Sequence, residues 1–442
     1  MSQSQFTRGK QIDRAQVMND LIKSRKITSE GADWLTLRMD PYHDFRRPIA
    51  GYPDADNLDT IVSVRNYEYN ISQPAALGAN WDCHIFTLPL DSTSFDLGTN
   101  TNGQFVQTAE TYNMGLVNIA KDAAGGPLFP TAVPVASGNF SMVNMDSFTD
   151  LQTGLSRIIG FGLEVIDTSA ELYKQGAITC YSMPATESCM GSVSYLNTAT
   201  THQAQVPARL LVAPPSTVGE AILFRSSTQW EAKDGCYMSI GQIGVNNPFC
   251  QARRELLHVS DDTTMTGGSV ALCGRLTANT ALQAAPLMTS SSPQGISKTF
   301  NITQSGVFLS GLSSNATFKV RVRVYLEQAP LVTDTALIPL ASPSAPYDVK
   351  ALELYSLLVT EMPVAVPVCF NAKGDWWRWI LRTVGKLAPV LGPVFGPIGG
   401  QIGGAIGAAV TPISKMADDA EARRKARKAN QSNGKVKFSN RK

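Results

Sequence analysis

Short runs of alternating apolar and polar residues, punctuated by Gly, Pro, Ser and Asn, set the pattern of this chain. In the clearest run, Phe318, Val320, Val322, Val324 and Leu326 share one face and Lys319, Arg321 and Arg323 the other, the period-two signature of a half-buried strand. Residues 61–69 alternate in part, and 83–88 form a compact apolar run. Further strands are predicted at 157–166, 177–183, 208–212, 221–224 and 235–240. One helix is predicted over 347–360, after Pro346 and before Pro363 and Pro367. Many short strands, turn-rich connections and little helix predict an all-β sandwich or jelly roll, and no internal repeat is visible.

Length and composition narrow this further. The 442 residues suffice for one large domain or two ordinary ones, and only 17% are charged. The net charge of +2 conceals an asymmetry, because every ionisable side chain from Arg423 onward is basic. Seven scattered cysteines, without CxxC pairing, predict buried free thiols rather than a disulfide framework. Met1 to Asp20 has no apolar stretch suited to a secretory signal, so synthesis in the cytosol is expected. Residues 1–30 read as a mobile arm carrying Arg8, Lys10 and Arg14.

The C-terminal segments carry the candidate chemistry. Arg378, Arg382 and Lys386 form one stripe of a predicted helix that Asp375 can cap. Trp376, Trp377, Trp379, Ile380, Leu381, Val384 and Leu387 complete its aromatic and apolar arc. That composition suits an interfacial, membrane-seeking helix, with a helix packed inside the fold as the alternative. Residues 387–414 hold no charge and are long enough to cross a bilayer, but their many Pro and Gly favour a membrane-disrupting peptide over a permanent anchor. The tail from Arg423 to Lys442 includes Arg424, Lys425, Arg427, Lys428, Lys435 and Lys437 and no acid. It can neutralise RNA phosphates without reading sequence, or serve as a solubilising or localisation segment.

No standard catalytic set is present: there is no HExxH, no GxSxG and no Walker loop. The run Asp54 to Asp59 reads as a hydrated turn, since it lacks the Gly and distal Glu of an EF-hand loop. Asp261 and Asp262 are weak oxygen-ligand candidates, compatible with Ca2+ at subunit interfaces; no cofactor is required.

Two separated stretches resemble the coat proteins of insect nodaviruses and, more distantly, tetraviruses. One runs from Gly31-Ala32-Asp33-Trp34-Leu35 through Asp40-Pro41-Tyr42-His43-Asp44-Phe45 to the Gly51-Tyr52-Pro53-Asp54 turn. The other runs from the 348–360 helix through Pro363-Val364-Ala365-Val366, Asn371-Ala372 and the Trp-containing helix to Gly396-Pro397-Ile398-Gly399. The resemblance implies an eight-stranded antiparallel jelly roll with loop insertions over 31–371, with room for a surface projection from 200–300. Residues 372–442 would then form a membrane-active peptide with a basic tail. It further implies a self-assembling icosahedral (T=3) virion shell, built in the host cytoplasm around genomic RNA and meeting a host receptor and membrane on entry. Single-turnover autocleavage between Asn371 and Ala372, promoted by Asp44, is implied as well. The arm is less basic than that family's, so genome binding is expected mainly at the C-terminal tail. A rival from another class is a cytosolic β-sandwich pore-former or tail-anchored membrane protein.

Overall fold

The computed structural model describes Ile22 and residues 27–368, apart from 46, 75–79, 95–114, 126–127, 129–139, 144–153, 184–186, 197–202, 213, 225, 252, 255, 261–269 and 272–294. The strands are β1 (Asp59–Ser72), β2 (Trp81–Thr87), β3 (Leu90–Ser94), β4 (Val117–Ala123), β5 (Phe140–Val143), β6 (Leu155–Asp167), β7 (Ala177–Met183), β8 (Glu187–Leu196) and β9 (Gln203–Val212). There follow β10 (Thr228–Glu231), β11 (Cys236–Ser239), β12 (Arg253–Arg254), β13 (Leu256–Ser260), β14 (Val270–Ala271), β15 (Gly295–Thr299), β16 (Gln304–Leu312), β17 (Thr317–Ala329) and β18 (Ser342–Pro343). Among the described residues, three α-helices of defined bounds accompany the strands: α1 (Ser29–Met39), α2 (Val218–Ile222) and α3 (Val349–Glu361).

Sheet one has the order β11-β6-β17-β1-β18, and sheet two the order β10-β7-β16-β2-β4-β5. Eight of these strands are nested. Taken in chain order, the first pairs with the eighth (β1–β17) and the second with the seventh (β2–β16). The third pairs with the sixth (β6–β11) and the fourth with the fifth (β7–β10), all antiparallel. A long antiparallel hairpin rolled up on itself produces this nesting, which is the jelly roll. The connections between β7 and β10 and between β11 and β16 contribute a four-stranded sheet, β14-β13-β9-β8, in which β9 and β13 run parallel.

Alternation explains the main core. Val320, Val322 and Val324 of β17 meet Phe161, Leu163 and Val165 of β6 and Ile85, Ile178, Val307 and Leu309 of sheet two in one buried cluster. A second cluster lies on the other face of sheet one, where Trp34, Leu35, Leu37, Tyr355 and Leu358 of α1 and α3 cover Ile159, Tyr237 and Tyr325. β6 is therefore buried on both faces, and its glycines make room for that layer. A Cβ at Gly160 would lie 2.7 Å from Leu37, and one at Gly162 2.7 Å from Tyr42.

The structure adds strands that were not predicted, among them β4, β8, β10 and β16, and two helices also depart from the sequence expectation. Residues 221–224 were expected as a strand, but 218–222 form α2. The Thr217 hydroxyl accepts from the Glu220 amide at 3.3 Å, and the Glu220 carboxylate accepts from the Ser216 amide at 2.7 Å. A Thr-x-x-Glu pair capping itself in this way outweighs a short apolar run. α1 was not anticipated as a helix. It is buried on nearly every side, so no apolar stripe stands out from its sequence. Cys83, Cys180 and Cys236 are buried free thiols, as expected, while Cys250 is a free thiol but only half-buried.

Candidate functional site

The two chain segments that carry the motif resemblance meet beneath sheet one. Thr28 caps α1 by accepting from the Gly31 amide at 2.9 Å, and Asp348 caps α3 by accepting from the Ala351 amide at 3.0 Å. The second Asp348 oxygen accepts from the Thr28 amide at 2.6 Å and the Thr28 hydroxyl at 3.0 Å. One carboxylate thus closes two helix N-termini that lie 320 residues apart, in the position where the helix dipole favours negative charge. A Cβ at Gly31 would sit 2.3 Å from that carboxylate, which explains a glycine inside the first turn.

From α1 the chain crosses the face of sheet one. Asp40 is buried and accepts from the Tyr237 hydroxyl at 2.6 Å. Burial, reinforced by the Asp40 charge, pushes the Tyr237 hydroxyl well above its ordinary pKa, so it stays a donor. Tyr42 donates to the Arg321 carbonyl at 2.7 Å, and Phe45 packs edge-on against Tyr325 at 6.3 Å.

The turn beyond is locked by Arg157, whose side chain is fully buried. It donates to Glu327 at 2.8 Å, pairs with Asp54, and lies over the Phe249 ring at 4.0 Å. Burial works against the Arg157 charge, but Glu327 and Asp54 more than offset this and hold it protonated. Burial likewise lifts the Glu327 carboxyl above its usual range, with Arg157 opposing the lift. Asp54 is therefore a buried-arginine partner, not simply part of a hydrated turn. Gly51, at φ +134°, brings its backbone so close to Glu327 that a Cβ would lie 2.4 Å from it.

The segment leaving α3 runs back to the sheet edge. Val366 and Tyr237 exchange backbone hydrogen bonds, at 2.7 and 2.9 Å, adding a bridge outside β11. The described chain ends two residues later at Val368, packed against Gly235.

Of the residues singled out for function, Asp44 alone falls among the described residues. It is exposed beside Tyr325 of β17. Three strand positions across the sheet and four residues along it, about 20 Å in all, separate it from the Val366 bridge. The five residues from Val366 to Asn371 can span up to about 17 Å. Asp40 lies nearer that bridge, through Tyr237, than Asp44 does.

Asn371, Ala372 and the Trp376–Leu387 helix lie outside the described residues, as do the tail from Arg423, the arm residues Arg8, Lys10 and Arg14, and Asp261 and Asp262. Among the described residues no helix is long and apolar enough to cross a membrane, and no cluster of three metal-ligating side chains occurs. The Lys319/Arg321/Arg323 stripe is compensated, with Lys319 and Arg321 on Glu68, Arg321 also on Glu164, and Arg323 donating to Asn66.

Sequence reasoning passed over Asp40, Arg157 and Asp348 as site residues. For Arg157 and Asp348 the visible signal was weak, a single charge at the edge of an apolar run in each case.

No family model matches this sequence, and no curated protein matches it. Solved structures do share its outline. One is the T13 viral particle of infectious bursal disease virus, at 10% identity, TM-score 0.42, and coverage of 83% of this chain and 98% of that one. The VP2 subviral particle of the same virus gives 11% identity, TM-score 0.40, and coverage of 78% and 98%. The BFDV capsid protein in a 60-mer gives 14% identity, TM-score 0.22, and coverage of 61% and 93%. The jelly-roll assignment stands on the strand nesting itself, independently of these partial superpositions.

Proposed function

We propose that this chain is the coat subunit of a non-enveloped, positive-strand RNA virus. It self-assembles into an icosahedral (T=3) shell and, once assembled, cleaves itself between Asn371 and Ala372. The observation that carries the reading is the meeting of the two motif-bearing segments under one sheet of a nested eight-strand roll, with the cleavage junction following directly from the Val366 bridge. An exposed apolar series supports self-association: Val332, Leu340 and Tyr347 are 90%, 66% and 59% exposed in the connection after β17.

The cleavage step needs no external nucleophile. The Asn371 side-chain nitrogen attacks its own main-chain carbonyl carbon, forming a five-membered imide as the bond to the Ala372 nitrogen breaks. The side-chain amide gives up one proton and the departing amine gains one; water later opens the imide. A carboxyl group can relay that proton, and Asp44 is the first candidate for the relay. The placement of Asp40 beside the Val366 bridge favours it as a second candidate for the same role. Released residues 372–414 would act on membranes, while the tail from Arg423 holds RNA.

The test is expression of the full chain, followed by sedimentation, nuclease protection and gel analysis of the particles. Shells holding protected RNA and a small C-terminal fragment are expected, with Asn371→Ala leaving only the full-length band. Asp44→Asn is expected to block cleavage; a block by Asp40→Asn alone would move the proton relay to Asp40. Shells that never cleave would end the maturation reading and leave the coat reading standing. Monomers without RNA would end both.

A further inference from the structure

We propose that the cavity beside Arg38 binds a small organic carboxylate with an apolar body, such as a fatty acid. The cavity has a volume of about 750 Å³ and lies between the C-terminal half of α3, the end of β7 and the β11 and β16 termini. Its size falls within the usual range of about 300–1,000 Å³ for small-molecule sites.

Among the described residues Arg38 is the one charged residue lining it. The residue is 3% exposed, and its Nη2 donates to the Tyr355 hydroxyl at 2.8 Å, an oxygen that also accepts from the Gln242 amide at 3.2 Å. Its Nε and Nη1 have no acceptor among the described residues, and the Gln242 side-chain oxygen is likewise unpartnered. A buried guanidinium without a counter-charge is costly, and most such groups are paired. Arg157, on the same side of the sheet, has its carboxylates; Arg38 has none in place.

The walls define what could supply the missing charge. Met183, Phe224, Val359 and Met362 offer apolar surface, while Ser182, Ser239 and Thr303 add hydroxyls. One cation against mostly apolar walls matches a singly charged oxyanion carried on a hydrocarbon body. A doubly charged phosphate would leave net negative charge in the cavity, and an inorganic ion would leave most of the volume unfilled. Nε and Nη1 lie buried behind the cavity wall, so binding requires the Arg38 side chain to turn towards the ligand.

Calorimetric titration of the full chain with dodecanoate, dodecan-1-ol and acetate tests this. Dodecanoate is expected to bind at one molecule per chain, at least about tenfold tighter than dodecan-1-ol, with acetate weaker than both. Arg38→Met should bring dodecanoate down to the affinity of the alcohol. Thr360→Trp, which narrows the cavity from an exposed position on α3 and leaves Arg38 intact, should weaken both dodecyl ligands. If Arg38→Met does not fold, Thr360→Trp decides. Equal affinity for acid and alcohol in the wild type would overturn the proposal. So would dodecanoate binding that Thr360→Trp leaves unchanged, or inorganic phosphate binding tighter than dodecanoate.

Discussion

The core between the two sheets and the layer beneath sheet one are equally dry but differently built. Between the sheets, aliphatic and aromatic side chains from alternating strand positions meet with hardly a charge among them. Beneath sheet one, Arg38, Asp40, Arg157, Glu327 and Asp348 are buried alongside Trp34, Tyr52 and Tyr355. An apolar core is held by area and tolerates rearrangement, whereas a layer held by paired charges and caps has few acceptable arrangements. The second region is thus suited to holding the two motif-bearing segments in one register against the sandwich.

Arg157→Met is expected to have the largest effect on this contrast. It leaves Glu327 buried without its counter-charge and should cost about 3–5 kcal/mol. Phe161→Ala in the apolar core should cost a similar amount, about 3–5 kcal/mol. The two should differ in how they fail. Limited proteolysis of Arg157→Met should cut within 47–58 before the sandwich opens, while Phe161→Ala should lower the melting temperature of the whole domain as one transition. Simultaneous loss in both would show that the layer has no separate stability.

Acid comes next. His84 is buried, stacked on Phe308 at 3.8 Å, with its ring nitrogens bonded to the Leu128 carbonyl and the Tyr181 hydroxyl. Burial lowers its pKa from 6.5 to about 3. The unfolded chain therefore binds a proton that the folded chain refuses. Stability should fall as pH drops from 6.5 towards 3, by up to about 1.4 kcal/mol per pH unit from this group, and be fully present above 6.5. Urea midpoints measured across that window should flatten in His84→Gln; an unchanged slope would assign the acid response to other groups.

Asp348→Ala should have the smallest effect, about 1–2 kcal/mol, because it removes a cap and not a core. Hydrogen exchange should quicken at the first turns of both α1 and α3. Quickening confined to α3 would mean that the Thr28–Asp348 link contributes nothing to α1.

How much of this was readable along the chain follows from the same contrast. The strand at Phe318–Leu326 was legible because one face lies in the core and a period of two survives in the sequence, whereas that at 177–183, buried on both faces, was legible only as a short run between turn residues. The helix α3 was legible from Pro346 and the apolar run behind Asp348. α1 was not, because burial all round erases the stripe, and 221–224 was misread because a five-residue helix is decided by its cap. The candidate junction at Asn371-Ala372 and the role of Asp44 were named from the motif resemblance, and of these only Asp44 falls among the described residues.

Residue order alone, then, carried the β class, six of the eight nested strands and the series of C-terminal motifs, since these depend on local periodicity and composition. Tertiary structure decided the nesting of the eight strands and the clasp of Thr28 by Asp348. It also decided the pairing of Arg157 with Glu327 and Asp54, and the isolation of Arg38 beside an apolar cavity. Each of these joins residues far apart in the chain, and whether a charge is matched or stranded depends on the partner that folding brings within hydrogen-bond distance.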